Sequence, residues 1–114
     1  MRKHISIVLI ILVIIEIIYI SKFKIVIGSG LSMAPTIDDH QILLCEYSKN
    51  YQVDDIVLYK VNNIPIVHRI VKITEYQLID GSIVKLYTMK GDNNSNTDLF
   101  ETYKENIICK VIGV

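Results

Sequence analysis

The first strong feature of the chain is a nearly unbroken apolar run, Ile5 to Ile20, built from Ile, Leu and Val and interrupted only by Ser6, Glu16 and Tyr19. A run of this kind, apolar on every side, predicts a helix that crosses a membrane rather than one that packs by a single face. After Lys24 the pattern changes to short stretches rich in Ile, Val, Leu and Tyr: Gln41 to Tyr47, Asp55 to Val61, Ile64 to Ile73, Tyr76 to Ile79, Ile83 to Lys90 and Asn106 to Val114. These read as strands, separated by turn residues. Asn62-Asn63 and Asp80-Gly81 are the clearest hairpin signals, and the second matches a type I′ turn. No second stretch has a helical period. The expected fold is mainly β: a small antiparallel domain on one N-terminal transmembrane helix, with residues 1–26 as cytoplasmic N-terminus and anchor and 27–114 as an extracytoplasmic β-rich domain.

Composition sharpens the reading of the anchor. The hydrophobic share is 51%, high for a chain of 114 residues, and the excess sits in the first run. Sixteen helical residues cover only about 24 Å of a hydrocarbon core of about 30 Å. Arg2 and Lys3 on one side and Tyr19, Lys22 and Lys24 on the other extend the span through aromatic anchoring and snorkelling. Glu16 stands four residues from the end of the run, close enough to reach the headgroups. A cleaved signal peptide is the competing reading. It is disfavoured because the first small-residue cluster, Gly28-Ser29-Gly30, abuts a serine motif at Ser32 that cleavage would damage.

Charge and cysteines exclude more than they assign. Twelve basic and twelve acidic side chains cancel, so nothing recommends nucleic acid as a partner. Cys45 and Cys109 lie in separate apolar runs without metal or redox spacing. They read as two buried free thiols in neighbouring strands, with a disulfide as the alternative for a domain outside the cell.

Three segments carry candidate chemistry. Gly28-Ser29-Gly30-Leu31-Ser32-Met33-Ala34-Pro35-Thr36 is a glycine-softened approach to a serine, stiffened afterwards by Pro35. Ile64-Pro65-Ile66-Val67-His68-Arg69-Ile70-Val71 places one histidine inside an apolar strand. A core histidine bonded to a carbonyl is the plain reading. The functional one is a base that takes a hydroxyl proton and returns it to a leaving amine. Lys90-Gly91-Asp92-Asn93-Asn94-Ser95-Asn96-Thr97-Asp98 is a polar loop. Its opening resembles a calcium loop, but Thr97 stands where glycine is required and Tyr103 where the bidentate glutamate belongs. An Asn-rich turn, or a carboxylate aimed at a histidine, remains.

In order and spacing these segments resemble the signal peptidase I family of serine peptidases (family S26). Ser32-Met33-Ala34-Pro35-Thr36 is similar to that family's Ser-Met-x-Pro-Thr nucleophile box. Asp54-Asp55-Ile56-Val57-Leu58-Tyr59 is similar to its Gly-Asp-Ile-Val-x-Tyr strand, with Asp54 in place of glycine. The base position holds His68, as in the archaeal, endoplasmic-reticulum and some Gram-positive enzymes, where most bacterial members have lysine. The resemblance implies Ser32 as nucleophile, His68 as general base, Asp98 as its acidic partner and Asp92 as a supporting acid, with no metal or organic cofactor. It also implies an oxyanion and substrate-binding region around Ser32, Met33, Ser29 and Gly30. Many members carry a serine at the Gly30 position that helps bind the oxyanion. Its absence leaves backbone N–H groups, including that of Ser32, or the Ser29 hydroxyl. The implied partners are exported precursors with small side chains one and three residues before the cut, and the lipid bilayer. Two other readings compete: a protease using Lys85 or Lys90 as base, and a membrane-tethered β module that binds exported proteins without cutting them.

Overall fold

The computed structural model describes residues 2–114. Helix α1 spans Arg2–Ile20 and none of its residues is buried. Its 19 residues reach about 28 Å, so Arg2 to His4 extend the expected run to nearly the thickness of a hydrocarbon core. It is the one described helix long and apolar enough to cross a membrane.

Seven strands follow: β1 (Phe23–Ile27), β2 (Ile42–Glu46), β3 (Ile56–Val61), β4 (Ile64–Gln77), β5 (Ile83–Lys90), β6 (Thr102–Tyr103) and β7 (Ile107–Ile112), with a short 3-10 turn at Lys104–Asn106 before the last. They form one sheet in the order β1-β2-β7-β3-β4-β5-β6, and every pairing is antiparallel. The mainly β fold on one apolar helix is therefore as expected, with three local differences. Strand β1 lies where the sequence suggests only the flank of the anchor. The expected run Ile64 to Ile73 and the start of the run Tyr76 to Ile79 are one long strand, because Thr74 and Glu75 continue the ladder with β5, and it ends at Gln77, leaving Leu78 and Ile79 to the turn. The third difference concerns the hairpins. Asn62 and Asn63 both have positive φ (51° and 65°), the signature of a two-residue type I′ turn. At the other hairpin Gly81 alone of the Asp80-Gly81 pair is left-handed (φ 87°). Its N–H donates to Leu78 O at 3.0 Å, which makes a type I turn closed by a left-handed glycine.

Strand β3 is buried on both faces from Ile56 to Tyr59, and this divides the interior in two. Ile56 and Leu58 join Met33, Ile37, Leu43, Cys45, Cys109 and Val111 in one cluster. Val57 and Tyr59 join Tyr51, Ile70, Tyr87, Met89 and Ile107 in the other. The expectation of free thiols is corrected here: Cys45 on β2 and Cys109 on β7 form a disulfide. The apolar runs did place them on adjacent strands. Register then brings their Cα atoms to 5.6 Å, inside the range a disulfide spans.

Candidate active site

The loop between β1 and β2 carries Ser32. Two turn bonds shape it, Ala34 N–H to Leu31 O (3.1 Å) and Ile37 N–H to Met33 O (2.9 Å). Met33 and Ile37 are buried in the disulfide-containing cluster, so the loop is pinned by packing on either side of the proline. Gly30 has φ +86°, a conformation that disfavours any side chain, and its N–H donates to Asp39 Oδ1 at 2.8 Å. A side chain here would meet no neighbour, so it is the left-handed backbone and not space that favours glycine. The Gly30 N–H is thereby engaged and is not a free donor.

His68 lies on β4 opposite Val57 and is 8% exposed. Its Nε2 is 3.1 Å from Ser32 Oγ. On the other edge of the ring, Nδ1 is 3.0 Å from Asp98 Oδ1 and 3.1 Å from Oδ2. A carboxylate only accepts, so this geometry puts the imidazole proton on Nδ1 and leaves the Nε2 lone pair facing the serine hydroxyl. Ser32, His68 and Asp98 thus form a continuous hydrogen-bonded line of the kind that withdraws a proton from a hydroxyl.

Asp92 has a different set of partners. Arg69 donates to it through Nε (2.9 Å to Oδ1) and Nη2 (2.8 Å to Oδ2), and Thr36 Oγ1 donates at 2.7 Å. The Arg69 guanidinium, then the Thr36 hydroxyl, hold the carboxyl below the usual aspartate value against the opposing effect of burial. A third Arg69 nitrogen reaches Asp54 O at 2.9 Å. One aspartate thereby ties the Ser32 loop, the His68 strand and the polar loop together. Asp54 stands at φ 79°, a left-handed conformation that favours glycine.

The polar loop also touches the Ser32 loop directly. Asn93 N–H donates to Ser32 O at 2.8 Å, and Asn93 Nδ2 to Leu31 O at 3.0 Å. A Cβ on Gly91 would lie 2.6 Å from Ser32 O, so only glycine permits this approach. Ser29, Gly30, Ser32 and Met33, the residues expected to bind substrate and oxyanion, line a cleft of about 300 Å³, faced across by Ile66 and Val67 of β4. Lys85 pairs with Glu75 at 3.7 Å, and Lys90 Nζ donates to Gly91 O at 3.1 Å, so both ammonium groups are directed to other partners than Ser32.

One participant is not apparent from sequence. Tyr59, fully buried on β3, donates a hydrogen bond to Asp98 Oδ2, and its oxygen is 3.0 Å from His68 Nδ1. Burial, followed by the carboxylate at its hydroxyl, pushes its pKa up. Its motif position is the available signal, but tyrosine in a buried strand reads as core.

A Ser–His–Asp line with its histidine buried in an antiparallel sheet and its partly exposed serine and aspartate on adjoining loops, opening on a cleft, defines a site of the serine-peptidase type. The sequence model of the family described as Peptidase S24-like matches residues 19–97, more than half of the chain. The protein belongs to that serine-peptidase-like family, which is related in fold to the S26 peptidases. No curated protein and no solved structure matches the chain significantly.

Proposed function

We propose that this protein is a membrane-bound signal peptidase of the Ser/His type, a serine endopeptidase that removes signal peptides from exported precursors. The observation that carries the reading is the Ser32–His68–Asp98 line on a domain that starts two residues after an apolar, unburied helix. An anchored domain keeps its site near the bilayer, where a signal peptide is held.

His68 Nε2 takes the Ser32 proton as Oγ attacks the scissile carbonyl. Asp98 holds the ring in the required tautomer and offsets the charge of the imidazolium, which then returns the proton to the leaving amine. With Gly30 N–H bonded to Asp39, the oxyanion falls to the Ser32 N–H and to the neighbouring loop. One missing donor costs on the order of 10²-fold, so turnover is expected to be slow. The cleft between the Ser29–Met33 segment and Ile66–Val67 suits an extended peptide with small side chains beside the cut. The Cys45–Cys109 disulfide favours an extracytoplasmic domain with the N-terminus inside, since such bonds persist in oxidising compartments.

Purified protein in detergent or liposomes, incubated with a secretory precursor, tests the proposal. Wild type is expected to release the mature chain and Ser32→Ala to leave the precursor intact. Binding of precursor without cleavage by either would instead mark a tethered binding module.

A further inference from the structure

The acidic member of the line is the least well supported by secondary structure. Asp98 lies in the irregular segment between β5 and β6, and its own N–H donates to Met89 O at 2.8 Å. The two residues after it, Leu99 and Phe100, are 93% and 74% exposed and pack on little. Main-chain anchoring therefore stops at Asp98, and the orientation of its carboxylate depends on what the side chain meets. It meets two groups, His68 Nδ1 and the hydroxyl of Tyr59.

Tyr59 is well placed for that task. It stands in β3, between β7 and β4, with no exposed surface, inside the cluster formed with Val57, Ile70, Tyr87 and Met89. The ladder between β3 and β7 shifts between Leu58 and Tyr59: Leu58 faces Cys109, whereas Tyr59 faces Ile107, leaving Ile108 as the extra residue. The extra residue is on β7, so Tyr59 keeps the face of Val57 and the same cluster. The phenol keeps its proton, because burial and the adjacent carboxylate both oppose ionisation, so it acts as a donor. Its proton serves Asp98 Oδ2 and leaves Oδ1 to receive the imidazole N–H at 3.0 Å.

Resting on the peptidase reading, we infer that Tyr59 is a positioning residue that fixes the Asp98 carboxylate against His68 by donating to Oδ2. Without that donor, Oδ2 is left without its phenol partner and the carboxylate can turn about its last bond. Misplacement of a catalytic group by about 1 Å costs up to about 10²-fold in rate. Substrate binding does not involve Tyr59, so the loss falls on kcat.

The experiment measures precursor cleavage by wild type, Ser32→Ala, Tyr59→Phe, Asp98→Asn and the Tyr59→Phe/Asp98→Asn pair. Active wild type and inactive Ser32→Ala secure the peptidase reading; failure of either defeats that reading, whereas the role of Tyr59 is decided by the remaining variants. Tyr59→Phe is expected to lower kcat by about 10- to 100-fold with KM within about twofold, and to add less than about twofold once Asp98 is Asn. A wild-type kcat for Tyr59→Phe, or an undiminished effect in the Asp98→Asn background, overturns the inference. A second readout does not depend on the Phe variant folding. With 3-fluorotyrosine placed at position 59, which keeps the hydroxyl, the fluorine resonance is expected to move on Asp98→Asn. An unmoved resonance would also overturn the inference.

Discussion

The two buried clusters on either face of β3 hold the site in different ways. The cluster under the Ser32 loop is made of aliphatic and sulfur-containing side chains and is closed by the Cys45–Cys109 bond. The cluster beside His68 and Asp98 contains three tyrosines, Tyr51, Tyr59 and Tyr87, with Tyr51 and Tyr87 in edge-to-face contact at 6.4 Å. The first restrains a backbone turn by packing and a covalent link. The second presents a hydroxyl to a carboxylate on an irregular loop. On the Ser32 side the main chain is fixed, whereas on the other side the His68 and Asp98 side-chain atoms are aimed at one another.

The comparison predicts that rate and stability separate between the two sides. Among the changes to the two sides short of removing Ser32 or His68, the largest effect is expected from Asp98→Asn, which should cut turnover by about 10³- to 10⁴-fold while the thermal transition stays close to wild type. Cleavage kinetics and a melting curve on the same preparation check this. Loss of fold rather than rate would mean that Asp98 is structural.

On the other face, Cys45→Ala with Cys109→Ala should remove about 4 kcal/mol, since the bond closes a loop of 64 residues. That is a large part of the stability a small domain has. Chemical denaturation in micelles measures it. Protein that remains folded is expected to retain most of its cleavage rate, because neither cysteine touches the line from Ser32 to Asp98.

Asp92→Asn should have the smallest effect, about 1.5–3 kcal/mol from the charged bonds to Arg69, with only a modest drop in rate. Arg69 lowers the Asp92 pKa on folding. The stabilisation is thus present above the unfolded-state value and is lost as pH falls below about 4. Melting temperatures of wild type and Asp92→Asn should converge in that range. A gap that persists at low pH would show that charge is not its source.

Much of the fold is legible in the chain because it is local. The run Ile5 to Ile20 specifies a helix by composition alone, and Asn62-Asn63 specifies a turn by the two residues that tolerate positive φ. Phe23–Ile27 is hidden because a short apolar stretch beside an anchor carries no sign of the strand it will pair with. The cysteines mislead for a similar reason. An apolar run reports burial, while pairing depends on the register that sets Cys45 opposite Val111 and so near Cys109. The role of Tyr59 is hidden because its bond to Asp98 joins segments 39 residues apart. Asp92 and Asp98 sit six positions apart in one loop, and their separate partners are likewise set by tertiary structure.

The central claim is that Ser32 and His68 act as one chemical unit, and a double-mutant cycle on precursor cleavage tests it most directly. Ser32→Ala, His68→Ala and the pair together are expected to fall to the same residual rate, on the order of 10⁴-fold or more below wild type, because either loss stops the same step. If either single variant cleaves near the wild-type rate, or if the two losses multiply in the pair, the account is contradicted.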